Sequence, residues 1–277
     1  MTIDTRYIDG KPRLAFDVAG AGPPVIFLHG IGGRRQNWHS QIKALQKDFT
    51  CIAWDARGYG ESDDYAGPLD FRYFADDLAR LIDNLSIERA HLVGLSMGAR
   101  ILLDFHSRYH DYVATLTLCD CFYGFKAALS PEKQAEFIEL RERPLREGKT
   151  FADLAPKLIE SLVSPSCPES IREELLTSIL ALRKESYLKT LRASTTFDRG
   201  SELANITQPV QLIYGEQDRL TPPTIGKEMN ELIAESELAV LEGAGHLSNL
   251  ENPTAFNATL RQFLHLHAEQ AAFLKTL

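Results

Sequence analysis

At 277 residues the chain is longer than an average domain, yet a single α/β sheet with one insertion accommodates that length. Hydrophobic residues make up 44% and charged residues 25%, an ordinary globular balance, and no apolar run approaches the roughly 18 residues needed to span a bilayer. A formal charge of −8 argues against nucleic acid or an anionic membrane as a partner, since both need a basic face, and leaves a small-molecule substrate open. The segment Met1 to Arg6 has no basic region followed by an apolar core, so a cytoplasmic location is expected. Cys51, Cys119, Cys121 and Cys167 are too sparse for a disulfide scaffold. Cys119 and Cys121 also lack the two-residue spacing of a redox pair or zinc knuckle, so all four are expected to be buried thiols.

In chain order, Tyr7-Ile8 and Arg13 to Ala19 read as a hairpin turning at Asp9-Gly10, broken by Gly20-Ala21-Gly22-Pro23-Pro24. Val25 to Leu28 is a continuous apolar run, as in a parallel strand buried on both faces. Asn37 to Lys47 has the spacing of a helix, and Thr50 to Trp54 is a second apolar strand. Asp70 is placed to cap a helix running to Leu85, with Phe74, Leu78, Leu81, Ile82 and Leu85 as its stripe. Ala90 to Leu95, Ala99 to Tyr109 and Val113 to Leu118 continue as strand, helix and strand. This alternation implies a mostly parallel sheet with helices on both faces. From Phe122 to Thr195 only helical patterns occur, over Glu132 to Arg143, Phe151 to Leu162 and Ser170 to Leu182. Residues 122–195 are therefore expected to form a helical cap on a core built from 1–121 and 196–277. Alternation resumes with strands Val210 to Tyr214 and Leu238 to Leu241 and helices Thr224 to Leu232 and Pro253 to Leu266.

Between one strand and its helix stands Gly94-Leu95-Ser96-Met97-Gly98. A Gly-x-Ser-x-Gly turn this tight strains the serine backbone and leaves no room for a neighbouring Cβ, which Gly94 and Gly98 answer. Ligands of an open parallel sheet bind beyond the carboxyl ends of its strands. The loops there hold His29-Gly30-Ile31-Gly32, Ser96, Gly215-Glu216-Gln217-Asp218 and Gly243-Ala244-Gly245-His246, so a serine, an acid and a histidine emerge on one edge in that order. Asp120 also follows a strand and is a rival for the acid. Asp76 and Asp77 are expected on a solvated helix face, and His265 and His267 on the surface.

The chain here resembles the α/β-hydrolase family. The resemblance is carried by Gly94 to Gly98, His29-Gly30, Asp55-Ala56-Arg57-Gly58-Tyr59-Gly60-Glu61-Ser62, Gly215 to Asp218 and Gly245-His246. It implies an α/β-hydrolase fold: an eight-stranded, mostly parallel sheet with a helical cap after the sixth strand. It also implies Ser96 as nucleophile, His246 as base and Asp218 as the orienting acid, with the backbone N–H groups of Met97 and Ile31 as oxyanion hole. His29 then orients the oxyanion loop. Such chemistry needs neither cofactor nor metal.

Serine at 96 excludes the haloalkane dehalogenase and epoxide hydrolase branches, which use aspartate there. Esterases, lactonases and C–C bond hydrolases remain. Leu116-Thr117-Leu118-Cys119, Thr221-Pro222-Pro223 and His246-Leu247-Ser248-Asn249-Leu250-Glu251-Asn252-Pro253 are similar to the 3-oxoadipate enol-lactonases, although Ala99 replaces a frequent glycine. That likeness implies an anionic substrate met by a cation, for which Arg34, Arg35 and Arg100 are candidates. Ser96-Met97-Gly98-Ala99-Arg100 also looks like the menaquinone-pathway lyases of this fold. A relative that has lost its chemistry and only binds a small molecule is the alternative of another class.

Overall fold

A computed structural model describes residues 2–124 and 130–274. Strands β1 (Asp4–Ile8), β2 (Leu14–Ala19), β3 (Pro24–Leu28), β4 (Thr50–Trp54), β5 (Ile87–Leu95), β6 (Val113–Cys119), β7 (Val210–Gly215) and β8 (Ser236–Leu241) lie in the order β1-β2-β4-β3-β5-β6-β7-β8. β1 and β2 pair antiparallel, as do β2 and β4, and every later pair on this path is parallel. A ninth strand, β9 (Ala272–Phe273), departs from the expected eight. Its two residues pair antiparallel with the start of β5, too short a run to leave a sequence pattern.

The central strands β3, β5 and β6 are buried along most of their length because both faces are covered. One face packs α2 (Arg72–Asn84), α3 (Met97–Tyr109) and α8 (Pro223–Leu232), through Phe74, Leu78, Leu102, Phe105 and Met229. The other packs α1 (His39–Leu45) and α10 (Pro253–Leu266), through Ile42, Leu45, Phe256 and Leu260. Between β6 and β7 lie α4 (Pro131–Arg146), α5 (Phe151–Leu162), α6 (Glu169–Leu180) and α7 (Lys184–Thr196). These four helices bury a cluster of their own, including Phe151, Ile159, Leu175, Ile179 and Leu188, and it reaches Ile31, Leu247 and Leu250 at the sheet edge. A short helix, α9 (Ser248–Glu251), precedes α10.

Several local expectations change. The helix foreseen from Asn37 opens as a 3-10 turn over Arg35–Trp38 before α1. Phe71, not Asp70, is the cap of α2; the Asp70 carboxylate accepts from the Arg72 N–H at 3.0 Å and pairs with its guanidinium. The β1–β2 connection is a wider loop, with Ile8 opposite Leu14. Asp77 is buried and grips Arg57 with two bonds at 2.7 and 2.9 Å, because its face of α2 meets the loop after β4 and not solvent. Asp76 meets Arg108 and the Tyr109 hydroxyl. His265 is exposed near Asp48, while His267 is half-buried with its ring against Phe263. All four cysteines are free and buried. Among the described residues no helix is long and apolar enough to cross a membrane.

Candidate active site

Ser96 sits where β5 turns into α3, with φ 54° and ψ −110°, a left-handed conformation costly for any residue with a Cβ. Two glycines make the turn possible. A Cβ on Gly94 would lie 2.5 Å from the Ala99 nitrogen, and one on Gly98 would lie 2.2 Å from the Leu28 carbonyl oxygen, so neither position admits a side chain. The Ser96 N–H donates to the Cys119 carbonyl at 2.8 Å, fixing the turn against β6. α3 starts at Met97, two residues earlier than the spacing indicates, and aims its N-terminal N–H groups past the serine.

The histidine and the acid arrive from β8 and β7. His246 Nδ1 lies 2.8 Å from Asp218 Oδ2 and 3.1 Å from the Thr221 hydroxyl. Asp218 also accepts from the N–H groups of Leu220 and Thr221, at 2.8 and 2.9 Å, and from the Thr221 hydroxyl at 2.6 Å. Burial alone would push the Asp218 carboxyl up, but His246 and these donors hold it below its ordinary value. Burial would likewise depress His246, and the Asp218 charge and hydrogen bond raise it above the usual imidazole value. The His246 N–H donates to the Leu162 carbonyl of α5, and Glu251 accepts from Gly245 and Ser164, so the histidine loop is tied to the cap.

Asp120, the rival acid, is buried at φ 45° behind this pair. Its oxygens take the Gly215 N–H at 2.8 Å and the Ser248 N–H and hydroxyl at 3.3 and 2.5 Å, joining the acid-bearing turn to the histidine loop. Burial, then the nearby Asp218 charge, push its pKa up to about 8. Of the two acids, Asp218 is the one hydrogen-bonded to His246.

The loop after β3 lies across the same opening. His29 is buried; its Nε2 accepts the Ala56 N–H at 3.1 Å, which leaves Nδ1 protonated to donate to the Gly30 carbonyl at 2.8 Å. Burial depresses its pKa. Gly30 is so close to the serine that a Cβ there would lie 3.2 Å from Ser96 Cβ, and Ile31 follows it on the cavity wall.

Ser96, His246, Gly30, Ile31 and Arg100 line one cavity of about 480 Å³, walled largely by apolar cap side chains such as Leu158, Leu162, Leu175 and Ile179. The three candidate cations part company here. Arg100 is buried on this wall, its guanidinium donating to the Ser194 carbonyl and lying 4.8–5.3 Å from the rings of Phe122, Phe197 and Phe71. Burial pushes its pKa down to about 9. Arg35 does not face the cavity: it is buried among Asp17, Asp55 and Glu61, and its charge is taken up by those carboxylates. Its own N–H meets Asp55 Oδ1 at 2.8 Å, so it braces the loop after β3 instead of meeting a ligand. Arg34 is half-buried beside Asn37 and is not part of the cavity wall.

Sequence reasoning missed Thr221 as a partner of the acid–histidine pair, Glu251 as a brace and Arg141 on the cavity wall. Thr221, three residues beyond Asp218, had a legible signal in the hydroxyl side chain at the end of the acid turn.

A parallel sheet of this order, with the serine on a strained turn and the acid–histidine pair on adjoining strand ends, defines an α/β hydrolase. Residues 25–259 match the model of the alpha/beta hydrolase family, and the chain belongs to that family. It is 31% identical over 255 residues to the AB hydrolase superfamily protein YisY of Bacillus subtilis, covering 88% of this chain and 92% of that protein. It is 30% identical over 242 residues to 3-oxoadipate enol-lactonase 2 of Acinetobacter baylyi, covering 85% of this chain and 86% of that one. Among solved structures it is similar to a malate-bound thermophilic esterase from Thermogutta terrifontis, at TM-score 0.86 and 29% identity, covering 96% of this chain and 100% of that one. It is also similar to the enol-lactonase of Burkholderia xenovorans LB400, at TM-score 0.85 and 25% identity, over 94% and 100% of the two chains.

Proposed function

We propose that the protein is a serine hydrolase that cleaves a small carboxylic ester or lactone through an acyl-enzyme. The observation that carries this reading is the His246–Asp218 hydrogen bond beside a cavity into which the strained turn presents Ser96. In this mechanism His246 Nε2 accepts the hydroxyl proton as Ser96 Oγ attacks the carbonyl carbon. Asp218 holds Nδ1–H in the required tautomer and stabilises the imidazolium that forms. The tetrahedral oxyanion accepts from the backbone N–H groups of Met97 and Ile31, whose contribution does not depend on their side chains. Collapse returns the proton from His246 to the leaving oxygen. Water, deprotonated by the same imidazole, then releases the acid and regenerates Ser96.

The cap expected over 122–195, of which 125–129 lie outside the described residues, selects the substrate. The 3-oxoadipate enol-lactonase relative and the malate-bound esterase favour a small, acidic substrate of the enol-lactone kind. Rapid mixing with p-nitrophenyl acetate tests the reaction: one equivalent of p-nitrophenol per protein is expected in a burst when acylation outruns deacylation, and steady hydrolysis in either case. Unchanged hydrolysis by Ser96→Ala would sink the reading. The enol-lactone proposal fails if the enzyme cleaves simple esters and leaves 3-oxoadipate enol-lactone intact.

A further inference from the structure

Most cap arginines meet carboxylates; among the described residues Arg183 reaches the Gly60 and Ser62 carbonyls instead, and Arg141 faces the cavity. Arg146 on α4 pairs with Glu139 and Glu142, Arg143 reaches Glu147, and Arg192 on α7 closes a fork on Glu142 with bonds of 2.6 and 2.8 Å. Arg141 is the immediate neighbour of Glu142, yet among the described residues no carboxylate forms an ion pair with it. Its guanidinium lies over the Phe137 ring at 3.6 Å, and Nη1 donates to the Phe137 carbonyl, one turn back, at 3.2 Å. It lines the cavity that contains Ser96 and His246. Burial pushes its pKa below the ordinary arginine value, opposed by the nearby Tyr187.

A guanidinium carries five N–H donors in a rigid planar fork, and one of Arg141's is committed to a protein acceptor among the described residues. Holding a half-buried cation against the leucines of the cap wall is costly, and an incoming anion offsets that cost. The fork matches the two oxygens of a carboxylate, and the aromatic face beneath it fixes its plane. The leucines and isoleucines of the wall suit the apolar stretch joining such a carboxylate to the reacting group. We propose that Arg141 is a specificity-determining residue: it binds a carboxylate that the substrate carries away from its scissile carbonyl. The preferred substrates are then esters or lactones bearing a free acid. The catalytic part of this statement rests on the serine hydrolase reading, and the binding part does not.

Two matched ester pairs test it, one with the acid on the acyl side (mono-p-nitrophenyl adipate and its carboxamide twin) and one with it on the leaving group (4-acetoxybenzoate and 4-acetoxybenzamide). In at least one pair the wild type should favour the carboxylate by roughly tenfold or more in kcat/KM, mostly through KM. Arg141→Gln should bring that ratio close to one, and Arg141→Lys should keep part of it, with thermal melting checking the fold of each variant. Calorimetric titration with adipate and with adipamide gives the independent readout: adipate should bind the wild type preferentially, and Arg141→Gln should remove the preference. Equal ratios in wild type and Arg141→Gln, or no preference in either pair and none in binding, would overturn the proposal. Arg141-dependent adipate binding without ester turnover would uphold the carboxylate site and reject the hydrolase reading. Ester turnover with indifferent binding and ratios would do the reverse.

Discussion

The edge of the sheet and the cap hold their polar groups in different ways. At the edge, each key side chain is buried and fastened by several short-range bonds: Asp218 by Thr221, Leu220 and His246, Asp120 by Gly215 and Ser248, His29 by Gly30 and Ala56. In the cap, arginines and glutamates pair mostly at half-exposed or exposed positions, where an ion pair contributes little, about 0–1 kcal/mol. The edge fixes its polar side chains in place, and the cap lines the cavity mostly with apolar ones.

The largest effect that would sharpen this contrast lies at the edge. Ser96→Ala should cut ester turnover by on the order of 10⁴- to 10⁶-fold with little change in melting temperature. Asp218→Asn should cost on the order of 10⁴-fold in kcat, because an amide cannot fix the imidazole tautomer. Asp120→Asn should cost roughly tenfold or less, since Asp120 ties loops together and has no hydrogen bond to His246. Steady-state kinetics of the two asparagine variants compare the acids directly, and reversed magnitudes would move the acid to Asp120.

Gly98→Ala should destabilise the fold by roughly 3 kcal/mol or more, read from denaturant unfolding, because the new methyl meets the backbone of β3. A milder effect is pH dependence. As the proposed base, His246 would act only when neutral, and its pKa is raised above 6.5, so kcat/KM should rise with pH through an inflection above 6.5. The same shift stabilises the fold fully below 6.5, and this is lost as pH rises through the folded value. Asp218 works oppositely: its depressed pKa stabilises above about 3.8, lost as pH falls through the folded value. The smallest effect belongs to the brace between the regions. Glu251→Gln should lower kcat/KM by roughly a few fold, through a looser His246 loop, while the pH inflection stays in place.

The sheet was legible in the sequence because buried parallel strands must be continuous apolar runs, as in Val25 to Leu28, and because turns too tight for a Cβ must be glycine, as at Gly94 and Gly98. The position of the proposed Ser96, Asp218 and His246 trio was legible too, because each residue follows a strand end. What the sequence hid depends on partners distant along the chain. Asp77 reads as surface until Arg57 is folded over it, and Arg35 reads as a free cation until Asp17, Asp55 and Glu61 surround it. β9 is too short to carry a period. Arg141 shares its helical stretch with Arg143 and Arg146, and only the fold distinguishes the one on the cavity wall.

The central claim, that Ser96 is a nucleophile activated by His246, is tested most directly by labelling the folded protein with a fluorophosphonate and mapping the adduct by peptide mass spectrometry. The adduct should lie on Ser96 and be lost in a His246→Ala variant with a normal thermal melt. A folded wild type that takes no label at Ser96, or a His246→Ala variant labelled as fast as the wild type, would contradict the account.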